Sequence, residues 1–77
     1  MWVGALQFDL LLHFMRHPRI VLTRDRLLDA VWAMDPETAS NVVDVTVGYL
    51  RGRLEAGGEA RLLQTVRGVG YVLREPG

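Results

Sequence analysis

Neither cysteine nor lysine occurs among the 77 residues of this chain. Without cysteine there is no disulfide framework, no thiolate zinc site and no sulfur nucleophile, which agrees with a reducing, cytoplasmic setting. Without lysine all nine positive charges are arginines, and nine acids offset them to a formal net charge of zero. Bulk charge therefore announces no nucleic-acid binder, and the position of each arginine carries the information. Guanidinium groups favour bidentate contacts with phosphates, carboxylates and guanine edges. Long hydrophobic runs are missing as well. The longest is a few residues, against the ~20 needed to cross a bilayer, and no basic segment precedes the apolar start, so neither a membrane anchor nor a signal peptide is expected. Aromatics are few at 8%, but a hydrophobic fraction of 49% is that of a globular chain rather than a disordered one. The length allows one small domain and excludes a two-domain enzyme with a cleft between domains. No Ser-His-acid set or carboxylate pair is placed for catalysis, so the chain is read as a non-enzyme with no cofactor and no small-molecule ligand.

What is present reads as three helices. Leu6, Phe8, Leu10, Leu11, Leu12, Phe14 and Met15 crowd so densely that more than one helix face is apolar, and His17-Pro18 ends the run. A first helix is predicted from Ala5 to Arg16. Ile20, Val21 and Leu22 are too short for more than a small extended bridge. Thr23 follows as a predicted N-cap, its hydroxyl able to accept from a free amide at the helix start. The second helix should run from Arg24 to about Ala33, burying Leu27, Leu28, Val31 and Trp32 and leaving Asp25, Arg26 and Asp29 to water. Met34, Asp35, Pro36, Glu37, Thr38 and Ala39 show no periodicity and form a loop, with Ser40 as the next N-cap. A third helix is predicted from Asn41 to about Glu55, stopped by Gly57-Gly58. Steps of 100° put Val43, Val47, Leu50 and Leu54 on one face and Asn41, Val42, Val45, Gly48, Tyr49 and Gly52 on the other. That second face is small and partly apolar where an ordinary solvated face would be charged.

Residues 61–66 and 71–73, around the glycine-bearing turn Arg67-Gly68-Val69-Gly70, read as a β-hairpin. The order helix, helix, helix, hairpin, without internal repeat or low-complexity linker, gives a mainly α fold with a small β-hairpin: a winged helix-turn-helix. Gly68-Val69-Gly70 lacks the third glycine and following helix of a nucleotide loop. Asp9, His13 and His17, at i, i+4 and i+8, have a spacing that can hold a divalent cation, but a surface His13 paired with Asp9 accounts for the same residues. No metal is assigned.

The segments now carry a family resemblance. Residues 23–32, Thr-Arg-Asp-Arg-Leu-Leu-Asp-Ala-Val-Trp, resemble the second helix of the winged-helix domains of OmpR/PhoB-type bacterial response regulators. Ser40-Asn41-Val42-Val43-Asp44-Val45 with Tyr49-Leu50-Arg51 is similar to their recognition helix, and residues 64–71, Gln-Thr-Val-Arg-Gly-Val-Gly-Tyr, to their wing. The three stretches stand in the family's order, and the resemblance covers roughly residues 8–74. It implies sequence-specific binding to double-stranded DNA in transcription control, with the third helix in the major groove and the wing at the neighbouring minor groove. By the same resemblance Arg67 matches the wing arginine at the minor groove, Thr65 and Tyr71 match wing positions near the DNA backbone, and Arg51 matches a phosphate or base contact. Asn41, Val42 and Thr46 stand at helix positions that face DNA; Val45, Tyr49 and Arg53 complete the expected DNA-binding set. Gly48 and Tyr49 depart from a pair of arginines carried by many members, and Gly52 replaces a basic residue. The loop with Asp35 and Glu37 corresponds to one that can touch RNA polymerase.

The family pattern also has a receiver domain and a four-stranded platform before the first helix, and this sequence contains neither. The chain is therefore read as a single winged-helix domain, residues 1–77, truncated at its N terminus. On that reading the second apolar face of residues 6–15 has nothing to cover it, and pairing with a second copy or a partner is expected. The rival to DNA binding is a protein-interaction or dimerisation module that keeps the fold, using this face or the Gly48/Gly52 face.

Overall fold

In a computed structural model, residues 5–33 and 41–76 are described. Helix α1 spans Ala5–Arg16, strand β1 Leu22–Thr23, α2 Arg24–Trp32, α3 Val42–Leu54, β2 Leu63–Val66 and β3 Gly70–Leu73. The predicted loop of residues 34–39 and the Ser40 cap lie outside the described residues.

Local chemistry sets the element ends. Thr23 caps α2 as expected, its hydroxyl accepting from the Arg26 amide at 3.2 Å. At the end of α3 the Glu55 amide donates to Arg51 O and the Gly58 amide to Glu55 O, both at 2.9 Å. Gly58 turns the chain with φ +85°, a left-handed value that glycine adopts without a Cβ penalty.

Burial follows the helical period. Leu10 and Phe14 from α1, Leu27 and Trp32 from α2, and Val43, Val47 and Leu50 from α3 meet Leu22, Leu63 and Tyr71 from the strands in one core. The α2 stripe is as predicted, with Leu28 and Val31 half-buried against that core. On α1 the second apolar face is open: Phe8 and Met15, on the side away from Leu10 and Phe14, are 65% and 58% exposed.

The predicted hairpin is the larger part of a three-stranded antiparallel sheet in the order β1-β3-β2. Leu22 pairs with Tyr71 and Thr23 with Gly70 on one side, while Thr65 pairs with Tyr71 and Val66 with Gly70 on the other. The short extended bridge thus becomes an edge strand, because β3 has a second row of backbone groups that needs partners. Glycine at 70 is a steric requirement: a Cβ there would lie 2.0 Å from Leu22 O. At the tip, Val69 donates to Val66 O at 3.0 Å and Gly68 takes φ +76°, the sign a type II turn demands at its third residue. Strand β2 starts at Leu63 rather than Arg61, whose guanidinium instead reaches Glu55 at 3.0 Å.

Candidate nucleic-acid interface

The outward face of α3 and the tip of the β2–β3 hairpin form the candidate surface. Asn41, Val45, Gly48, Tyr49, Gly52 and Arg53 are exposed along α3, Val45 by 50% and Tyr49 by 60%. Arg67, Gly68 and Val69 are exposed at the hairpin tip. Neither Arg53 nor Arg67 makes an ion pair among the described residues, so both guanidinium groups are available to an anion.

Two positions depart from the expected outward placement. Thr46 is 6% exposed, and its hydroxyl donates to Val42 O at 2.7 Å. Spaced i+3 from Val43 and i+4 to Leu50, it falls on the core side of the helix, and donation to its own backbone satisfies the buried hydroxyl. Val42 is half-buried and packs against the core. The 100° steps place it on the outward face, and in the structure it turns toward the core instead.

Arg51 ties the helix to the wing. Its Nε donates to Leu63 O at 2.8 Å and an Nη to Thr65 Oγ1 at 2.6 Å. Burial, and then Arg61, lower its pKa, yet a guanidinium remains charged at neutral pH. With two of five N–H donors turned inward, Arg51 holds β2 at a fixed offset from α3 and presents charge on the seam between them. Thr65 is exposed beside it, its oxygen taken by that contact.

Tyr71, expected near the DNA backbone, is 5% exposed. Its hydroxyl donates to the Asp44 carboxylate, which also accepts from Arg24 Nε at 2.8 Å. The guanidinium carbons of Arg24 and Arg51 each stand 5.6 Å from the Tyr71 ring centroid, within cation–π range. The hydrogen bond from Tyr71, then that from Arg24, holds the Asp44 carboxyl below its ordinary value, while burial, then the Asp44 contact, pushes the Tyr71 hydroxyl up. This Arg24–Asp44–Tyr71 cluster joins α2, α3 and β3. Sequence reasoning assigned no role to Arg24 or Asp44. The one local signal was an acid in the first turn of α3, where the helix dipole favours it.

The His13 and His17 rings lie 4.6 Å apart, and the His17 Nδ1 donates to His13 O at 2.9 Å. Among the described residues no group of three or more acidic or histidine side chains is placed to hold a metal ion. No helix among them is long and apolar enough to cross a membrane.

Comparison with known proteins agrees with this geometry. Residues 2–73 match the family described as "Transcriptional regulatory protein, C terminal". Response regulator MprA of Mycobacterium leprae is 56% identical over 69 residues, which cover 90% of this chain and 30% of that protein. The chain thus spans about a third of the length of the curated relatives it matches. The response regulator AdeR DNA-binding domain, solved in complex with an intercistronic region, superposes with a TM-score of 0.81 at 29% identity, covering 97% of this chain and 74% of that one. The Klebsiella pneumoniae RstA DNA-binding domain, solved with the RstA box, gives 0.76 at 27% identity over 95% of this chain and 73% of that one. Three helices, an antiparallel wing and this match over nearly the whole length lead to one conclusion: the chain belongs to the family of C-terminal domains of transcriptional regulatory proteins, the winged-helix DNA-binding domains of OmpR/PhoB-type response regulators.

Proposed function

We propose that the chain is the sequence-specific DNA-binding module of a bacterial two-component response regulator and acts in transcription control from the cytoplasm. The observation that carries this is the Arg51 bridge, which fixes the α3 face and the Arg67-bearing tip relative to each other. A rigid helix-plus-wing unit suits a duplex, whose major and minor grooves have a fixed spacing. In this reading α3 enters the major groove, Arg51 and Arg53 meet phosphates, and Arg67 senses the narrow, electronegative minor groove. Asn41, at the start of α3, and Thr65, beside Arg51, flank the contact. Tyr71 acts indirectly, by holding Asp44, which in turn holds Arg24. A polymerase contact through Asp35 and Glu37, which lie outside the described residues, is part of the proposal.

The test is selection of bound duplexes from a random pool, followed by titration of the enriched sequence at several salt concentrations. Enrichment of a motif is expected. Two arginines on phosphates predict a log–log salt slope of about −2, at roughly −0.9 per neutralised phosphate. Arg67→Ala should weaken binding by about 1–3 kcal/mol; an unchanged titration would remove Arg67 from the groove.

A second reading has its own observation, the exposed apolar side of α1 carrying Phe8 and Met15. That face suits contact with a second copy of the chain, and the two readings are compatible because it uses none of the α3 or wing residues.

A further inference from the structure

Between Asn41 at its start and Arg53 near its end, both exposed, the outward face of α3 is short of the side chains that read purines by paired hydrogen bonds. From position 45 to 52 the exposed residues are Val45, Gly48, Tyr49 and Gly52. Thr46 is buried with its hydroxyl spent on Val42 O, and Arg51 is drawn toward Leu63 O and Thr65. Direct readout of guanine and adenine uses bidentate arginine, lysine, asparagine or glutamine side chains, and this stretch presents none outward. Two apolar surfaces one helical turn apart remain, Val45 at 50% exposure and Tyr49 at 60%. The apolar feature of the major groove is the C5-methyl group of thymine.

Resting on the DNA-binding reading above, we infer that Val45 and Tyr49 are the specificity-determining residues of the domain and that they select thymines by the C5-methyl group. Four residues of helix rise span about 6 Å, close to two base steps of about 3.4 Å. The selected methyls therefore lie about two steps apart. Gly48 lies beside these side chains on the same face, and a Cβ added there would meet nothing within 4 Å. Nothing in the packing of the domain requires glycine at that position, whereas a bare backbone brings the two flanking side chains closer to the groove floor.

The experiment starts from the duplex enriched in the selection described above. Each thymine is replaced in turn by deoxyuridine, which keeps the base-pairing edge and the O4 acceptor and lacks only the methyl. Binding is measured for the parent chain and for Val45→Ala and Tyr49→Ala, with circular dichroism confirming that all three are folded. The expected result is a loss of about fourfold at each of two positions in the parent, the scale of one buried methyl. One of the two losses should vanish in Val45→Ala and the other in Tyr49→Ala. Indifference to deoxyuridine at every position, or equal losses in parent and variants, overturns the inference while leaving DNA binding intact. Recovery of no motif by folded protein overturns the DNA-binding reading itself, and the inference with it.

Discussion

Two glycines show how differently the same residue type is constrained. At Gly70 a side chain would meet the Leu22 carbonyl 2.0 Å away, on the backbone of a paired strand that cannot move aside without breaking the sheet. Gly70→Ala should therefore cost about 3 kcal/mol or more, the upper range for overpacking. At Gly48 the space is open and the backbone helical, so Gly48→Ala should stabilise the domain by roughly 1 kcal/mol through helix propensity. Urea denaturation of both variants reads the two signs directly. The sequence marked Gly48 as a departure and Gly70 as part of a turn, but only the position of β1 against β3 shows that glycine is required at 70. Thr46 makes the same point: a polar residue in a recognition-helix motif reads as outward until its neighbours show it on the buried side.

At the scale of elements, the domain depends on two ties between the helices and the sheet. Arg51→Ala removes the donors to Leu63 O and Thr65 while leaving α3 helical. A loss of about 1–3 kcal/mol follows, as for hydrogen bonds from charged donors, with faster amide exchange in β2 than in α1. Rates that rise equally in both would mean that Arg51 does not couple wing to helix. The second tie, Asp44 with Tyr71 and Arg24, titrates. Asp44 is depressed from its ordinary 3.8 in the folded state. Its contribution is present above the unfolded value and is lost as pH falls through the folded one. Tyr71 is raised, so its contribution is present below its ordinary 10.0 and is lost as pH climbs past it. Stability of the parent should thus fall more steeply below about pH 4 than that of Asp44→Asn, measured by denaturation across pH. Identical slopes would show that the cluster carries no linkage. The magnitude should be modest, because the Asp44 and Arg24 side chains are 41% and 46% exposed and water screens the pair.

For the whole molecule, the zero net charge conceals a division of labour among the arginines. Arg19, Arg24 and Arg61 are paired with Glu75, Asp44 and Glu55, while Arg53 and Arg67 make no ion pair among the described residues and stand on the proposed DNA side. Local charge on that side can therefore bind phosphate although the total is zero. The α1 face offers a separate test. Phe8 is 65% exposed, so Phe8→Asp should leave folding nearly unchanged. If this face joins two copies, light scattering should give a two-copy mass for the parent at high concentration and a single-chain mass for Phe8→Asp. A single-chain mass for the parent at every concentration would remove the pairing.

The sequence by itself determined the kind and order of the elements. Helical periodicity, the Thr23 cap, the glycine stop after α3 and the wing turn are local patterns, and each acts within a few residues of chain. The family resemblance was legible for the same reason, since its motifs sit within single elements. Tertiary structure alone decided that residues 22–23 add a third strand, that Arg51 faces the wing, and that Tyr71 turns inward to Asp44. Those contacts join residues 12 to 49 positions apart. Their existence depends on how the helices close onto the sheet, and the residues that make them carry no sign of the partner in their own neighbourhood.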